Sequence, residues 1–328
     1  MSRREVRGAF NVEAALTLST PKKLVGISAA AGLLVALAGC GTAPEATPSG
    51  SAGAEPGGAV DGFLPCMVSD FGGFDDKSFN QLGFEGLQKA SEALGVEPIT
   101  VQSDSETDFA PNLQNLVDQN CTMIITVGFA LASAAGESAK ANPDIEYVSI
   151  DDPVDNDFDG ATDAENIKPL LFDTAQAAFL AGYAAASYSE ADKVGTFGGQ
   201  PYPTVTVFMD GFRQGVEYWN EQKGEDVQVL GWDGEDGVFT GGFTANQEAI
   251  NAAQGLVDQG VDVLLPVGGP IYSSAADAIR DSGGTSVMLG VDSDLAQADP
   301  AVADLVLTSI LKRIDQAVYD SVLATAKG

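Results

Sequence analysis

Cys66-Met67-Val68-Ser69-Asp70-Phe71-Gly72-Gly73-Phe74-Asp75-Asp76-Lys77-Ser78-Phe79-Asn80 is the stretch whose order decides the fold. A short apolar run meets a glycine pair, then two acids and an aromatic ring. Beyond it, Phe79, Leu82, Gly86, Leu87, Ala90 and Leu94 recur at spacings of three and four, the period of a helix with one apolar face. Strand, loop and helix in that order make the unit of an open α/β sheet, which binds ligands in the loops at the carboxyl ends of its strands. Asp75 and Asp76 read as a solvated turn and helix start, because acids suit that end of the helix dipole.

Outward from this unit the pattern repeats. Strand-like runs at 65–69, 98–102, 122–128 and 145–150 alternate with helical patterns, which implies a parallel sheet covered on both faces. A second series begins after Asn166 with an apolar helix, Ala175 to Tyr188, then Lys193 to Gly199 and a helix through Val207, Phe212, Val216 and Trp219. Strands at 227–232, 261–267 and 286–291 follow, with helices at about 244–259 and 273–282. The last strand, Leu305 to Ile310, and the helix from Arg313 to Ala326 are expected to cross back and complete the first lobe, giving a hinge two or three strands wide. Closure about such a hinge is a common binding motion. The expected division is 63–168 with 293–328 as one lobe and 169–292 as the other.

Residues 1–39 read as an export leader: basic residues precede an apolar stretch, Leu24 to Ala38, that is shorter than a membrane span of about 20 residues. Leu37-Ala38-Gly39-Cys40 resembles a bacterial lipobox, whose cysteine is lipidated and becomes the first residue of the mature chain. An ordinary secretory leader is the alternative. Residues 40–62, nearly all Gly, Ala, Ser, Thr, Pro and acids, read as a flexible tether. Export places Cys66 and Cys121 in an oxidising compartment; each precedes an apolar run, so neighbouring strands could bring them together as a disulfide. Two buried thiols are the other reading.

The chain has 328 residues, 47 acidic and 16 basic, and no histidine. Without imidazole the serine and cysteine triads and most zinc sites are excluded. The acidity argues against nucleic acid as a partner. Gly72-Gly73 is not a phosphate loop, since no lysine follows at the Walker spacing. No calcium-type carboxylate cluster is expected, nor a metal or cofactor.

The segment from Val68 to Leu87, with Ser69-Asp70, Gly72-Gly73, Asp76-Lys77-Ser78-Phe79-Asn80 and Gly86-Leu87, resembles the opening motif of the basic membrane protein, or purine nucleoside receptor A, family. Later blocks agree in order, among them Val127-Gly128-Phe129, Ile150-Asp151, Gly198-Gly199, Gly290-Val291-Asp292 and Leu307-Thr308-Ser309. The resemblance implies a type I periplasmic binding fold: two Rossmann-like α/β lobes with parallel sheets and a multi-strand hinge. It also implies a substrate-binding lipoprotein, anchored on the extracytoplasmic face, that delivers a nucleoside to an ABC permease. A monomer without catalytic residues is expected. Members of that family usually continue past the position of Gly328 with another strand-like segment.

The same resemblance assigns residues. Phe79 matches the first ring of an aromatic sandwich around the base; Phe243 is the choice for the second, with Phe239 and Trp232 as rivals. Stacking suits a flat base at about 1–3 kcal/mol per face. Asp70 and Asp292 match carboxylates that accept from ribose hydroxyls, and Lys312 matches a lysine that donates to the sugar; a surface lysine is its other reading. Gly268 and Gly269 would admit the ribose, and Ser78, Asn80 and Asp151 are candidates for the base edge. The role of Asp294 stays open. Two other functions fit the residues: a receptor for another small polar ligand such as a sugar, and a carboxylate glycosidase or nucleoside hydrolase, which needs no histidine.

Overall fold

The computed structural model describes residues 60–328. The expected leader, Cys40 and the tether up to residue 59 lie outside the described residues. β1 (Pro65–Ser69) is buried at every position, as a strand between two helical layers must be. α1 (Phe79–Leu94) turns Gly83, Gly86, Leu87, Ala90 and Leu94 inward and ends at Gly95, whose φ of 66° is the left-handed cap that glycine adopts without cost.

The first lobe adds β2 (Ile99–Val101), α2 (Glu106–Asp118), β3 (Met123–Val127), α3 (Ala132–Ala141), β4 (Glu146–Ile150) and β5 (Ile167–Leu170). Its strands are parallel and lie in the order β2-β1-β3-β4-β5. The second lobe begins with α4 (Thr174–Tyr188), β6 (Lys193–Gly198), α5 (Pro203–Lys223), β7 (Gln228–Leu230), α6 (Gln247–Val257) and β8 (Val263–Val267). It continues through α7 (Ile271–Asp281), β9 (Val287–Asp292), α8 (Leu295–Ala298) and β10 (Val306–Leu311), and α9 (Ile314–Thr325) ends the chain. The second sheet, β7-β6-β8-β9-β10, repeats the order of the first. Each sheet is covered by apolar clusters on both faces.

Two expectations about the last segments need correction. The strand expected to return to the first lobe is β10, and it pairs instead with β9, Ile310 opposite Val291. It occupies the place that β5 holds beside β4, so only α9 crosses back, against α1. β5 went unrecognised, and the boundary expected between 168 and 169 falls inside it, since Lys168 and Pro169 interrupt its apolar run; at a sheet edge a proline is tolerated. The first sheet therefore runs to Leu170 and the second to Leu311. Among the described residues the chain passes between lobes twice, at 171–173 and 312–313.

The lobes thus exchange helices. α4 follows the last strand of the first sheet but packs on α5, where Gly182 and Gly215 admit the backbone: a Cβ at either would fall 2.0 Å from a carbonyl oxygen. α9 packs on α1 through Gly86, where a Cβ would lie 2.4 Å from the Asp315 carbonyl oxygen. Cys66 and Cys121 form a disulfide, with 6.0 Å between their Cα atoms. No helix among the described residues is long and apolar enough to cross a membrane.

Candidate ligand-binding site

Parallel strands end on one side of each sheet, and those ends face each other across a cleft of about 550 Å³, counting its open mouth. Asp70 follows β1, Gly128 follows β3, Asp151 follows β4, Gly268 follows β8, Asp292 ends β9 and Lys312 follows β10. All six line the cleft. Asp151 and Asp292 hold the same place in the two lobes and share a left-handed backbone, φ 67° and 65°. Non-glycine residues keep that conformation only where their surroundings enforce it, and such residues cluster at ligand sites.

Lys312 explains part of that enforcement. It is 3% exposed, so it is not a surface lysine. Its ammonium pairs with Asp151 and stands 4.0 Å from Asp292 Oδ1. Three rings surround it, with centroids 4.7 Å away at Phe208, 5.7 Å at Phe79 and 6.0 Å at Phe172, an arrangement that favours a cation. Burial pushes the Asp292 carboxyl up to about 6, although Lys312 pulls it down. Desolvation pushes Asp70 further, to about 8, against the donation of Asn80 Nδ2 to its Oδ1 at 3.1 Å. Gly128 makes the place for that carboxylate: a Cβ there would stand 1.9 Å from Asp70 Oδ2.

The aromatic candidates separate cleanly. Phe79 and Phe243 both line the cleft. The Phe243 ring lies over Gly199 and Gly268, where a Cβ would come within 2.4 and 3.0 Å of it, so Gly268 makes room for a side chain of the protein itself. Phe239 packs over Gly198 and meets the Trp232 ring edge-on, and Trp232 donates its indole N–H to Asp210. Neither rival reaches the cleft.

Asp76 differs from its reading as a solvated acid. It is buried, lines the cleft and accepts from the N–H groups of Ser78, Asn80 and Gln81, while burial raises its pKa. Asp75 is exposed and paired with Lys77. Gly269 faces Asp76 across the cleft, its Cβ position 3.5 Å from Oδ2. Ser78 does not line the cavity; its hydroxyl is bonded to Asp292 and the Val291 carbonyl. Asp294 is exposed at the start of α8.

Phe129, Tyr202 and Phe208 also line the cleft and had been given no role from the sequence. The Phe129 and Tyr202 rings meet across the lobes at 5.0 Å between centroids, tilted by 35°, and Tyr202 lies 5.8 Å from Phe243. Phe208 lines the cleft beside Lys312. Phe129 and Tyr202 each stand at or just before a helical segment after a strand-end loop, the place that Phe79 holds at the start of α1. Away from the cleft, the acids Asp155, Asp157 and Asp159 bring carboxylate oxygens within 4.8 Å of one another, contrary to the expectation of no such cluster. Their alternation before Gly160 was visible in the sequence. Much of that oxygen is taken up locally, Asp155 accepting from the N–H groups of Asp159 and Gly160.

Two buried oxygens in the cleft, Asn80 Oδ1 and Asp292 Oδ1, have no hydrogen-bond partner among the described residues. Buried acceptors left in this state call for a donor from elsewhere.

Comparison with known proteins agrees with this architecture. A nucleoside-binding ABC transporter protein from Lactococcus lactis is 26% identical over 324 residues, covering 94% of this chain and 86% of that one. A CD4+ T-cell-stimulating antigen of Listeria monocytogenes is 30% identical over 274 residues, covering 79% and 72%. The crystal structure of an ABC transporter solute-binding protein from Aeropyrum pernix superposes with a TM-score of 0.69 at 26% identity, over 80% of this chain and 71% of that one. The two lobes have the type I periplasmic binding fold. With the family model for PnrA-like ABC transporter substrate-binding proteins matched over residues 63–328, the chain belongs to that family.

Proposed function

We propose that this chain is the nucleoside receptor of an ABC importer, closing its lobes on the ligand and presenting it to a permease. The observation that carries the reading is the pair of unpartnered acceptors, Asn80 Oδ1 and Asp292 Oδ1, in a cleft that Phe79 and Phe243 also line. A nucleoside supplies both complements: a flat base for the rings, and hydroxyl and amino donors for the oxygens. Asp70, Asp292 and Lys312 then serve the ribose, and Asn80 and Asp151 the base edge. The name of the Lactococcus relative supports the ligand class.

Calorimetric titration with adenosine, guanosine, inosine, cytidine and free sugars tests it. Binding of at least one nucleoside is expected. Phe79→Ala and Phe243→Ala should each weaken it by about 1–3 kcal/mol, the worth of one stacked face. A response to sugars with none to nucleosides would defeat the reading. As a receptor, the protein should return inosine intact after overnight incubation, and free hypoxanthine would mark a hydrolase instead.

Anchoring through Cys40 at the outer face of the membrane completes the proposal, supported by Leu37-Ala38-Gly39-Cys40 after an apolar stretch. Cys40→Ala is expected to move the protein out of the membrane fraction, and retention there would count against a lipid at this residue.

A further inference from the structure

Ser78 stands at the start of α1, where a serine ordinarily gives its side chain to the first turn of its own helix. Asp76 has taken that task. Its carboxylate accepts from Ser78 N–H at 2.9 Å, Asn80 N–H at 2.9 Å and Gln81 N–H at 3.0 Å. The Ser78 hydroxyl is thereby released and crosses to the other lobe, 3.0 Å from Asp292 Oδ2 and 3.2 Å from the Val291 carbonyl. The neighbouring residues repeat the arrangement in reverse, the Ser293 hydroxyl donating to the Lys77 carbonyl at 2.7 Å.

Two consecutive residues of each lobe, Lys77-Ser78 and Asp292-Ser293, therefore hold one another through two buried serine hydroxyls. Lys77 and Asp292 both have left-handed backbones, φ 59° and 65°. Backbone of this kind is kept only where its neighbours fix it.

We propose that this double serine clasp ties ligand occupancy to the closed arrangement of the lobes, with Ser78 as a positioning residue that fixes one oxygen of Asp292 and leaves the other to the ligand. The proposal rests on the nucleoside reading of the cleft. Asp292 Oδ1, the free oxygen, has only Lys312 at 4.0 Å. A ligand that donates to it gains a carboxylate already oriented from the opposite lobe, so binding and closure reinforce each other.

The groups that face Asp292 are Lys312 from the crossover, Asp151 from the end of β4, Asp76 and Ser78 from the approach to α1. Of these, Lys312 and Ser78 favour the ionised form and the two acids oppose it. Removing the Ser78 donor therefore raises the pH below which Asp292 is protonated and stops accepting from the ligand.

The test titrates the nucleoside that the wild-type protein binds, between about pH 5 and 8, into wild type, Ser78→Ala, Ser78→Thr and Ser293→Ala, with small-angle scattering of each with and without ligand. Ser78→Ala should weaken binding roughly tenfold or more, as loss of a hydrogen bond to a charged group does, and move the acid limb of the affinity profile to higher pH. Ser78→Thr, which keeps the hydroxyl, should restore both. Ser293→Ala does not touch Asp292; it should weaken binding and reduce ligand-induced compaction while leaving the acid limb in place. Wild-type affinity and pH profile in Ser78→Ala would overturn the clasp, as would equal shifts of the profile in both alanine variants. If Ser78→Ala does not fold, rescue by Ser78→Thr and the Ser293→Ala compaction still decide. Wild type binding no nucleoside would instead defeat the underlying reading.

Discussion

Lys312→Met should lose most nucleoside binding and about 3 kcal/mol or more of stability near pH 7.5, the scale for removing one partner of a buried ion pair. Methionine keeps the apolar stem among Phe79, Phe172 and Phe208, so the change isolates the charge. Asp151 and Asp292 are then left buried without their cation. The sign of the pH dependence follows from Asp292. Its folded pKa, about 6, already exceeds the ordinary value of 3.8, and without Lys312 it climbs further. A carboxyl raised on folding gives its stability below its unfolded pKa and loses it as pH rises through the folded value. The gap between variant and wild type should therefore be small near pH 5 and widen toward about pH 8. Urea unfolding at the two ends measures it, and a gap that does not change with pH would count against a charge-based role for Lys312.

Opening the disulfide is the second large effect. Cys66 and Cys121 are 55 residues apart, and constraint of an unfolded loop of that length is worth about 4 kcal/mol in the chain-entropy account. The double variant Cys66→Ala, Cys121→Ala should lose stability on that scale. Nucleoside affinity should hardly change, because the bridge lies at the amino ends of β1 and β3 while the cleft lies at their carboxyl ends. Denaturation midpoints that match with and without the bridge would refute the stability effect, and a large loss of affinity would show that the two ends of the sheet are coupled.

What could be read from the chain follows from which forces are local. β1, β3, β4, β8 and β9 announce themselves because a strand buried on both faces carries a short, largely apolar run. β5 does not, since an edge strand of four residues can carry Lys168 and Pro169. The partner of β10 was equally hidden: periodicity tells that a segment is a strand, never which strand lies beside it. In the cleft, Phe79 and Lys312 came from the resemblance alone, and Asp70 and Asp292 from the resemblance and their strand-end position together. Phe243 was chosen over Phe239 and Trp232 on its resemblance to a motif alone, because the contacts that separate them come from Gly198, Gly199 and Gly268, distant in the chain. Ser78, expected at the base edge, and Asp76, expected in solvent, were both misplaced for a similar reason. Only the fold shows Asp76 buried and turned back over the helix start, and the Ser78 hydroxyl turned away from the ligand to Asp292.

The helix exchange between lobes bears on how the chain acquires its structure. α1, near the beginning of the described region, finds its covering partner in α9, the last helix among the described residues. Until residues 314–325 have been made, the α1 face that holds Gly86 has nothing to lie against, so the first lobe cannot finish early. Contacts spanning more than 200 residues close slowly, since the entropy of the intervening loop must be overcome first. The first lobe therefore locks late, on a helix that follows every strand of the second lobe.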